Sequence, residues 1–154
     1  MRAAPISSLD FVKAVYYAKN HQTRGIYMYD DNNVFAKIIR GEIPCKKICE
    51  NEFALSFYDV NPMFETHALV IPKGRYRDIL DFTKNASMDE LRGYWACFAE
   101  TADALGIVAN FNTFANAGSN APFIKQSVFH FHLHLVAGAA HPELAQTLEP
   151  ICHK

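Results

Sequence analysis

The sequence lacks a strong excess of charge and any long apolar run. Its net charge is −1 over 154 residues, with no basic stripe, so it lacks the electrostatic footprint of a nucleic-acid-binding protein. Small nucleotides are not excluded, because they need a pocket and not a charged face. No apolar stretch approaches the length of a membrane span. Asp10 and Lys13 interrupt the apolar N-terminus, which argues against a signal peptide. We therefore expect no nucleic-acid partner and no membrane association.

Cysteine is scarce and is not arranged in pairs. The four cysteines, Cys45, Cys49, Cys97 and Cys152, include no Cys-x-x-Cys and form no dense framework. Reduced thiols are the simplest interpretation, and they predict a cytoplasmic protein. The composition, 50% hydrophobic and 20% charged, is ordinary for a globular domain, and the length suits a single domain with a real core.

Histidines alternate with apolar residues near the C-terminal end of the chain. His130, His132 and His134 stand at every second position, with Phe129, Phe131, Leu133 and Leu135 between and beside them. Successive side chains of a strand point to opposite faces, so this pattern predicts a strand with an imidazole face and an apolar face. An ordinary polar strand face would explain one histidine easily and three poorly, because every imidazole needs polar partners. The imidazole face is therefore the candidate site.

The helix signals are clear at three places. Ser7 or Ser8 can cap a helix that runs to about Asn20, followed by a polar linker over residues 21–33. A short helix is predicted over residues 34–40 and is stopped by Gly41. A long helix begins at the capping box of Ser87 and Glu90 and ends at Gly106. Residues 75–82 are predicted to form a loop with a helical turn.

Five strands are predicted, most of them joined by short turns. They cover residues 46–49, 54–60, 67–71, 110–116 and 127–136. Together with the helices they predict an α+β domain with an antiparallel sheet of about five strands, one long and one short helix, and an N-terminal helical extension. We divide the chain into an extension and linker (1–33), the domain (34–140) and a tail (141–154), and expect the residues before Met28 to be dispensable for chemistry.

The run His-Phe-His-Leu-His-Leu-Val, which begins at His130, resembles the signature of the histidine triad (HIT) superfamily. Four other segments resemble the family in the same order: residues 35–44, 57–62, 66–73 and 116–118. Together they cover about residues 34–137. The short length resembles the Hint branch, and a histidine at position 134, where nucleotidyl transferases have glutamine, favours hydrolysis.

The resemblance implies a HIT-like fold and a nucleotide-binding hydrolase. Hint-like proteins cleave nucleoside phosphoramidates and acyl-nucleotidylates through a covalent nucleotidyl-histidine and release a purine nucleoside monophosphate. The nucleophile would be His132, with an unprotonated nitrogen and its other nitrogen bonded to an acceptor. His134 and Ser127 would donate to phosphate oxygens, and His130 and His67 would support the cluster. Asp59 would hold the ribose hydroxyls.

The resemblance also implies which residues line the nucleotide site. Besides His132, His134, Ser127 and Asp59, it places the remaining binding residues at Val34, Phe35, Ile38, Ile43, Phe57, Val60, Asn116 and Gln126. It further implies a homodimer formed through the long helix and a central strand.

Two departures from the family pattern stand out. Many HIT proteins hold a structural zinc ion with two early cysteines, a later histidine and the first triad histidine. Here Asn33, Ala36 and Arg75 occupy three of those positions, so we predict no metal site and no cofactor. The phosphate loop, between Asn116 and Gln126, is also longer than in the Hint branch. Lys125 stands where that branch usually has glycine, a residue that lets the backbone approach phosphate closely.

Three alternatives stay open at this stage. Histidines at positions i and i+2 of a strand are ligand spacing in some zinc enzymes, although the nearest acidic residue in sequence is Glu143. The protein could instead be a nucleotide-binding regulator whose hydrolysis is incidental, or a dinucleoside polyphosphate hydrolase.

Overall fold

The computed structural model describes residues 29–121 and 124–142. The predicted N-terminal helix, most of its linker, and nearly all of the tail lie outside the described residues. Within them no helix is long and apolar enough to cross a membrane.

One antiparallel sheet of five strands organises the domain. The strands are β1 (Lys47–Glu50), β2 (Ala54–Tyr58), β3 (Phe64–Pro72), β4 (Asn112–Phe114) and β5 (Leu133–Ala140), and their order in the sheet is β1-β2-β3-β5-β4. The central pair, β3 and β5, aligns Leu69 with His134 and His67 with Val136. The predicted α+β class with a five-stranded antiparallel sheet is confirmed.

A short helix, α1 (Val34–Ile39), covers part of one face of the sheet. The side chain of Asn33 accepts a hydrogen bond from the amide of Ala36 and caps the helix start, and Gly41 follows its end with φ +76°. Phe35 packs there in an apolar cluster, in which the other buried members are Leu55, Phe57, Leu69 and Ile71. These strand residues alternate along β2 and β3, as the two-residue period of a strand requires.

A long helix, α3 (Met88–Leu105), covers the opposite face of the sheet. Its predicted capping box is present: Ser87 accepts from the Glu90 amide, and Glu90 accepts from the Ser87 amide. Such a cap contributes about 1 kcal/mol. The phenol of the fully buried Tyr94 donates to the carbonyl of Val70 over 3.1 Å, so this polar group enters the core satisfied. The core on this face also contains Phe131, Leu133 and Leu135.

Residues 75–82 contain the predicted loop and helical turn, and the turn extends into a second short helix, α2 (Ile79–Asn85), capped by Asp78, whose carboxylate accepts from two amides of its first turn. Two strand predictions need correction. The fifth strand spans Leu133–Ala140 and not residues 127–136, since the chain bends over residues 128–130 and does not pair with a neighbouring strand before Leu133. The fourth strand is shorter than residues 110–116.

Candidate active site

The three alternating histidines are all buried, but their environments differ. His134 lies on β5 between Leu69 of β3 and Phe114 of β4, on the sheet face that α1 partly covers. His130 and His132 precede the strand. Phe131 enters the opposite core as predicted, whereas Phe129 is 36% exposed and is not a core residue. The alternation therefore holds from Phe131 onward and fails at Phe129, because the chain bends over residues 128–130.

His132 has its tautomer set by the main chain. Its Nδ1–H donates to the carbonyl of His130 over 2.7 Å, so a neutral ring carries its lone pair on Nε2. The ring meets Phe35 edge-on at a centroid distance of 5.1 Å and His134 at 5.0 Å. This arrangement provides an unprotonated ring nitrogen in a packed, apolar setting.

A chain of hydrogen bonds sets the tautomers of the two neighbouring histidines. The amide of Met63 donates to Nδ1 of His67 over 3.0 Å, so a neutral His67 carries its proton on Nε2. That Nε2–H lies 2.8 Å from Nδ1 of His134 and donates to it. His134 is then left with its proton on Nε2; because this N–H and the side-chain NH2 of Asn116 are both donors, their 3.4 Å separation is a contact and not a hydrogen bond. The direction of these hydrogen bonds is fixed by Met63, because a backbone amide can only donate.

Burial keeps these rings neutral. It lowers the pKa of His134 to about 3, with the neighbouring rings of His132 and His67 acting in the same direction. Burial lowers the pKa of His130 to about 4. It also lowers the pKa of His132, against an opposing effect of its bond to the His130 carbonyl. At neutral pH the nitrogen Nε2 of His132 is therefore available as a nucleophile.

A pocket of about 380 Å³ opens over these rings, within the size range of small-molecule sites. His67, His132 and His134 line one side of it, together with Asp59, whose carboxylate lies 3.5 Å from Nε2 of His67. The remaining predicted residues that line it are Val34, Phe35, Ile38, Ile43, Phe57, Val60 and Ser127. The pocket thus has an apolar slot at one end and polar groups at the other.

Three predicted site residues do not line this pocket. His130 is fully buried, and its Nε2–H donates to the carbonyl of Pro72 over 2.8 Å. Gln126 is also buried: its amide donates to the carbonyls of Arg77 and Val128 and accepts from the Gly118 amide. The third, Asn116, lies beside His134 at the pocket's edge.

The longer phosphate loop is therefore held together by Gln126. In addition to the side-chain bonds, the backbone amide of Gln126 donates to the backbone carbonyl of Gly118 over 3.0 Å and joins the two ends of the loop. Lys125 is exposed next to it, and Ser127 reaches the pocket on the other side.

The residues at the family's zinc positions do not fit a metal ion. The side chain of Asn33 is used to cap α1, Ala36 has no donor atom, and the guanidinium of Arg75 is bound to Asp31 at 2.7 Å. Zinc is held by thiolates, imidazoles and carboxylates, and a cation at one of those positions opposes it.

A second set of possible ligands, Asp59, His67 and His134, lies in the pocket itself. Both nitrogens of His67 are already used, one as acceptor from Met63 and one as donor to His134. A metal on Nε2 would have to displace that proton while Nδ1 still accepts from the amide. We therefore interpret the set as a hydrogen-bond chain.

Sequence reasoning missed several residues of the site. Phe114 stacks on the ring of His134 at a centroid distance of 4.5 Å, and Tyr29 bonds to His130. Cys45, Asn61, Met63 and Leu69 also line the pocket. The register of β4 against β5 explains Phe114, but the local sequence gives no sign of that pairing.

A larger hollow of about 470 Å³ lies beside β4. Phe64, Phe111 and Val136 are among its lining residues, and the described lining includes no titratable side chain. It is open and no histidine lines it, so we place the chemistry in the smaller pocket.

Comparison with known proteins gives one consistent result. The family model of the HIT domain matches residues 40–141. An uncharacterised 13.2 kDa HIT-like protein of Azospirillum brasilense is 47% identical over 111 residues, which are 71% of this chain and 88% of that protein. An uncharacterised HIT-like protein of Helicobacter pylori is also 47% identical over 111 residues, covering 71% of this chain and 99% of the relative.

Solved structures agree with this fold. A structure described as a HIT-like protein has a TM-score of 0.61 at 42% identity and covers 70% of this chain and 99% of its own. A HIT family hydrolase from Clostridium thermocellum has a TM-score of 0.63 at 31% identity and covers 71% of this chain and 93% of its own.

Proposed function

The chain belongs to the HIT family, and from that premise we propose that it is a nucleotide-binding hydrolase. Its substrates would be nucleoside phosphoramidates or acyl-nucleotidylates, cleaved at the α-phosphorus to release a purine nucleoside monophosphate. The observation that carries the proposal is the His132 ring, whose Nδ1–H is bonded to the His130 carbonyl and whose Nε2 is free beside a pocket of nucleotide size. The hydrolase names of relatives such as the Clostridium thermocellum protein support the reaction class.

The pocket residues suit the two ends of a nucleotide. Phe35, Ile38 and Phe57 belong to an apolar slot that would take the flat face of a purine. Asp59 lines the same pocket, with its carboxylate 3.5 Å from Nε2 of His67, and its two acceptor oxygens would bind the ribose hydroxyls. The α-phosphate would then lie over His132 and His134.

The reaction would proceed in two displacements. In the first, Nε2 of His132 forms a bond to the α-phosphorus while the bond from phosphorus to the amine or acyl oxygen breaks, and the departing amine takes its proton from solvent. In the second, water breaks the phosphorus–nitrogen bond and releases the monophosphate. Donors on Nε2 of His134 and on Ser127 would stabilise the charge on the phosphate oxygens.

Trapping of the covalent intermediate tests this proposal. Rapid quench with an α-labelled adenosine phosphoramidate should give a nucleotide bonded to His132, identified by peptide mapping. His132→Gly should lower hydrolysis by several orders of magnitude and leave nucleotide binding largely intact. Label on no histidine, or near-normal turnover of His132→Gly, would contradict it. Tight binding without turnover would favour a nucleotide-binding regulator, and turnover of dinucleoside polyphosphates alone would favour the other alternative.

We further propose a homodimer in the cytoplasm. Trp95 on α3 is 50% exposed, and Val108, which follows the helix, is 65% exposed. β4 pairs only with β5 among the described strands, so its outer edge is open; Trp95 contacts Phe98 on α3, and Phe98 contacts Phe111, the residue before β4. A second copy across this face would cover both. Cys45, Cys49 and Cys97 are free thiols, as a reducing compartment requires.

A further inference from the structure

The first triad histidine has both of its ring nitrogens occupied outside the pocket. Nε2–H of His130 donates to the carbonyl of Pro72, so its neutral ring must accept a hydrogen bond at Nδ1. The partner there is the hydroxyl of Tyr29, which is therefore the donor. The burial that lowers the pKa of His130 keeps the ring in this neutral form. Tyr29 thus satisfies a fully buried nitrogen that would otherwise have no partner.

Tyr29 is itself held by charged residues from two parts of the chain. The guanidinium of Arg75, which follows β3, lies 5.4 Å from the centroid of the Tyr29 ring. Arg75 also binds the carboxylate of Asp31 at 2.7 Å, and the carbonyl of Asp31 accepts from Arg40 at the end of α1. These exposed bonds contribute little energy singly. Together they define where the phenol lies.

The position of the nucleophile depends on the same histidine. The main-chain carbonyl of His130 accepts the Nδ1–H of His132, and that bond leaves the lone pair on Nε2. Phe35 also meets both rings, edge-on to His130 at 6.1 Å and to His132 at 5.1 Å. A shift of His130 would therefore move the acceptor that fixes the tautomer of His132.

We propose that Tyr29 is a positioning residue for the nucleophile, which it orients by holding the His130 ring and, with it, the His130 carbonyl. The inference rests on the proposed function only in taking His132 as the nucleophile. It adds a requirement that the triad alone does not contain: a phenol donor, 101 residues away in sequence, with Arg75 over its ring.

The test is Tyr29→Phe in the full-length protein, which removes the hydroxyl and keeps the ring. The matched control is Tyr76→Phe, because the Tyr76 hydroxyl also donates to one side chain, Glu90, but outside the pocket. Loss of a donor to a buried acceptor predicts a fall in kcat of about tenfold for Tyr29→Phe, with KM within about twofold. Tyr76→Phe should keep the wild-type kcat and pH profile.

The tautomers can be read directly from the ring-nitrogen NMR signals of the resting protein. In the wild type, Nδ1 of His130 should show a hydrogen-bonded lone pair and Nε2 of His132 a free one. In Tyr29→Phe the His130 signal should move to an unbonded position, and His132 should populate its Nε2–H form. This measurement needs no turnover, so it gives an answer even if no nucleotidyl-histidine forms.

Arg75→Met covers the case in which Tyr29→Phe does not fold, and a double variant with His130→Gln tests whether Tyr29 acts through His130 where it does fold. Arg75→Met should lower kcat in the same direction but by less, because the phenol stays and only its support is lost. In a His130→Gln background, Tyr29→Phe should have no additional effect, since the two act in series. A folded Tyr29→Phe with unchanged kcat and His132 tautomer, an unchanged Arg75→Met, or fully additive effects with His130→Gln would overturn the proposal.

Discussion

Main-chain groups decide which nitrogen carries the proton on three histidines and, through His67, on a fourth. The carbonyls of His130 and Pro72 accept hydrogen bonds from His132 and His130, the Met63 amide donates to His67, and His67 donates to His134. The sheet and its turns hold these backbone groups, and the Tyr29 hydroxyl additionally supports the His130 ring and carbonyl. The result is one free nitrogen, on His132, and one N–H, on His134, on the same side of the pocket.

His134 should matter less than the nucleophile. If its Nε2–H only stabilises charge on the phosphate oxygens, His134→Ala should lower kcat by about 10²–10³-fold, as removal of an oxyanion donor does. The measurement is steady-state turnover of an adenosine phosphoramidate, with rapid quench to confirm that label still reaches His132. A loss as large as that of His132→Gly would show that His134 does more than stabilise charge.

At the scale of elements, α3 can approach the sheet because Gly93 has no side chain. A Cβ at this position would overlap the ring of Phe53, in the turn between β1 and β2. Asn51 in the same turn donates to the Gly93 carbonyl over 2.8 Å, which ties the helix to the turn. The close contact places the Tyr94 phenol within reach of the Val70 carbonyl in the strand beneath.

Gly93→Ala should therefore destabilise the protein despite the better helix propensity of alanine. The overlap with Phe53 should cost about 1–3 kcal/mol, more than the roughly 1 kcal/mol that alanine gains over glycine in a helix. Urea denaturation measures the difference. Arg92→Ala, at the exposed neighbouring position, is the control and should change stability by less than about 0.5 kcal/mol. Equal or greater stability of Gly93→Ala would mean that Phe53 moves aside freely.

At the scale of the whole molecule, the histidine cluster couples folding to pH. The pKa is about 4 for His130 and about 3 for His134 in the folded protein, against about 6.5 when unfolded. The unfolded chain therefore binds more protons below pH 6.5. The contribution of these two histidines to the free energy of unfolding is fully present above pH 6.5 and is lost as the pH falls toward the folded pKa values.

The free energy of unfolding should decrease by roughly 2–4 kcal/mol between pH 7 and pH 5 from these two groups. Urea titrations at constant protein concentration measure it. His130→Gln should reduce the slope by about half, whereas replacing the exposed His141 with glutamine should leave it unchanged. A flat profile over this range would show that the cluster accepts protons without loss of structure.

The proposed dimer should depend on the exposed face of α3. Light scattering should give twice the 17.4 kDa chain mass at micromolar concentration. Trp95→Glu should shift the protein to monomers, because a charge would be buried in an apolar contact. Leu80→Glu is the control, since Leu80 is also exposed but lies on α2. A wild-type monomer, or dissociation by both variants alike, would contradict the proposed interface.

The sequence alone determined the features that depend on neighbours along the chain. The capping box at Ser87, the turn at Gly41 and the alternation from Phe131 onward are local patterns, and they predicted α3, α1 and the buried faces of the last strand. The family motif identified the α+β fold and the residues that line most of the pocket. Local patterns were less reliable where no neighbouring strand was present to pair, as at Phe129.

Only the tertiary structure decided the protonation and support of the histidines. His67 bonds to His134 across 67 residues, and Tyr29 bonds to His130 across 101. Phe114 stacks on His134 only because β4 pairs with β5 in one register. The side chain of Gln126 bonds to Gly118, Arg77 and Val128 and ties the loop together. The physical reason is that a hydrogen bond depends on distances of about 3 Å between atoms, and contacts so far apart in sequence are set by the packing of the sheet against its helices.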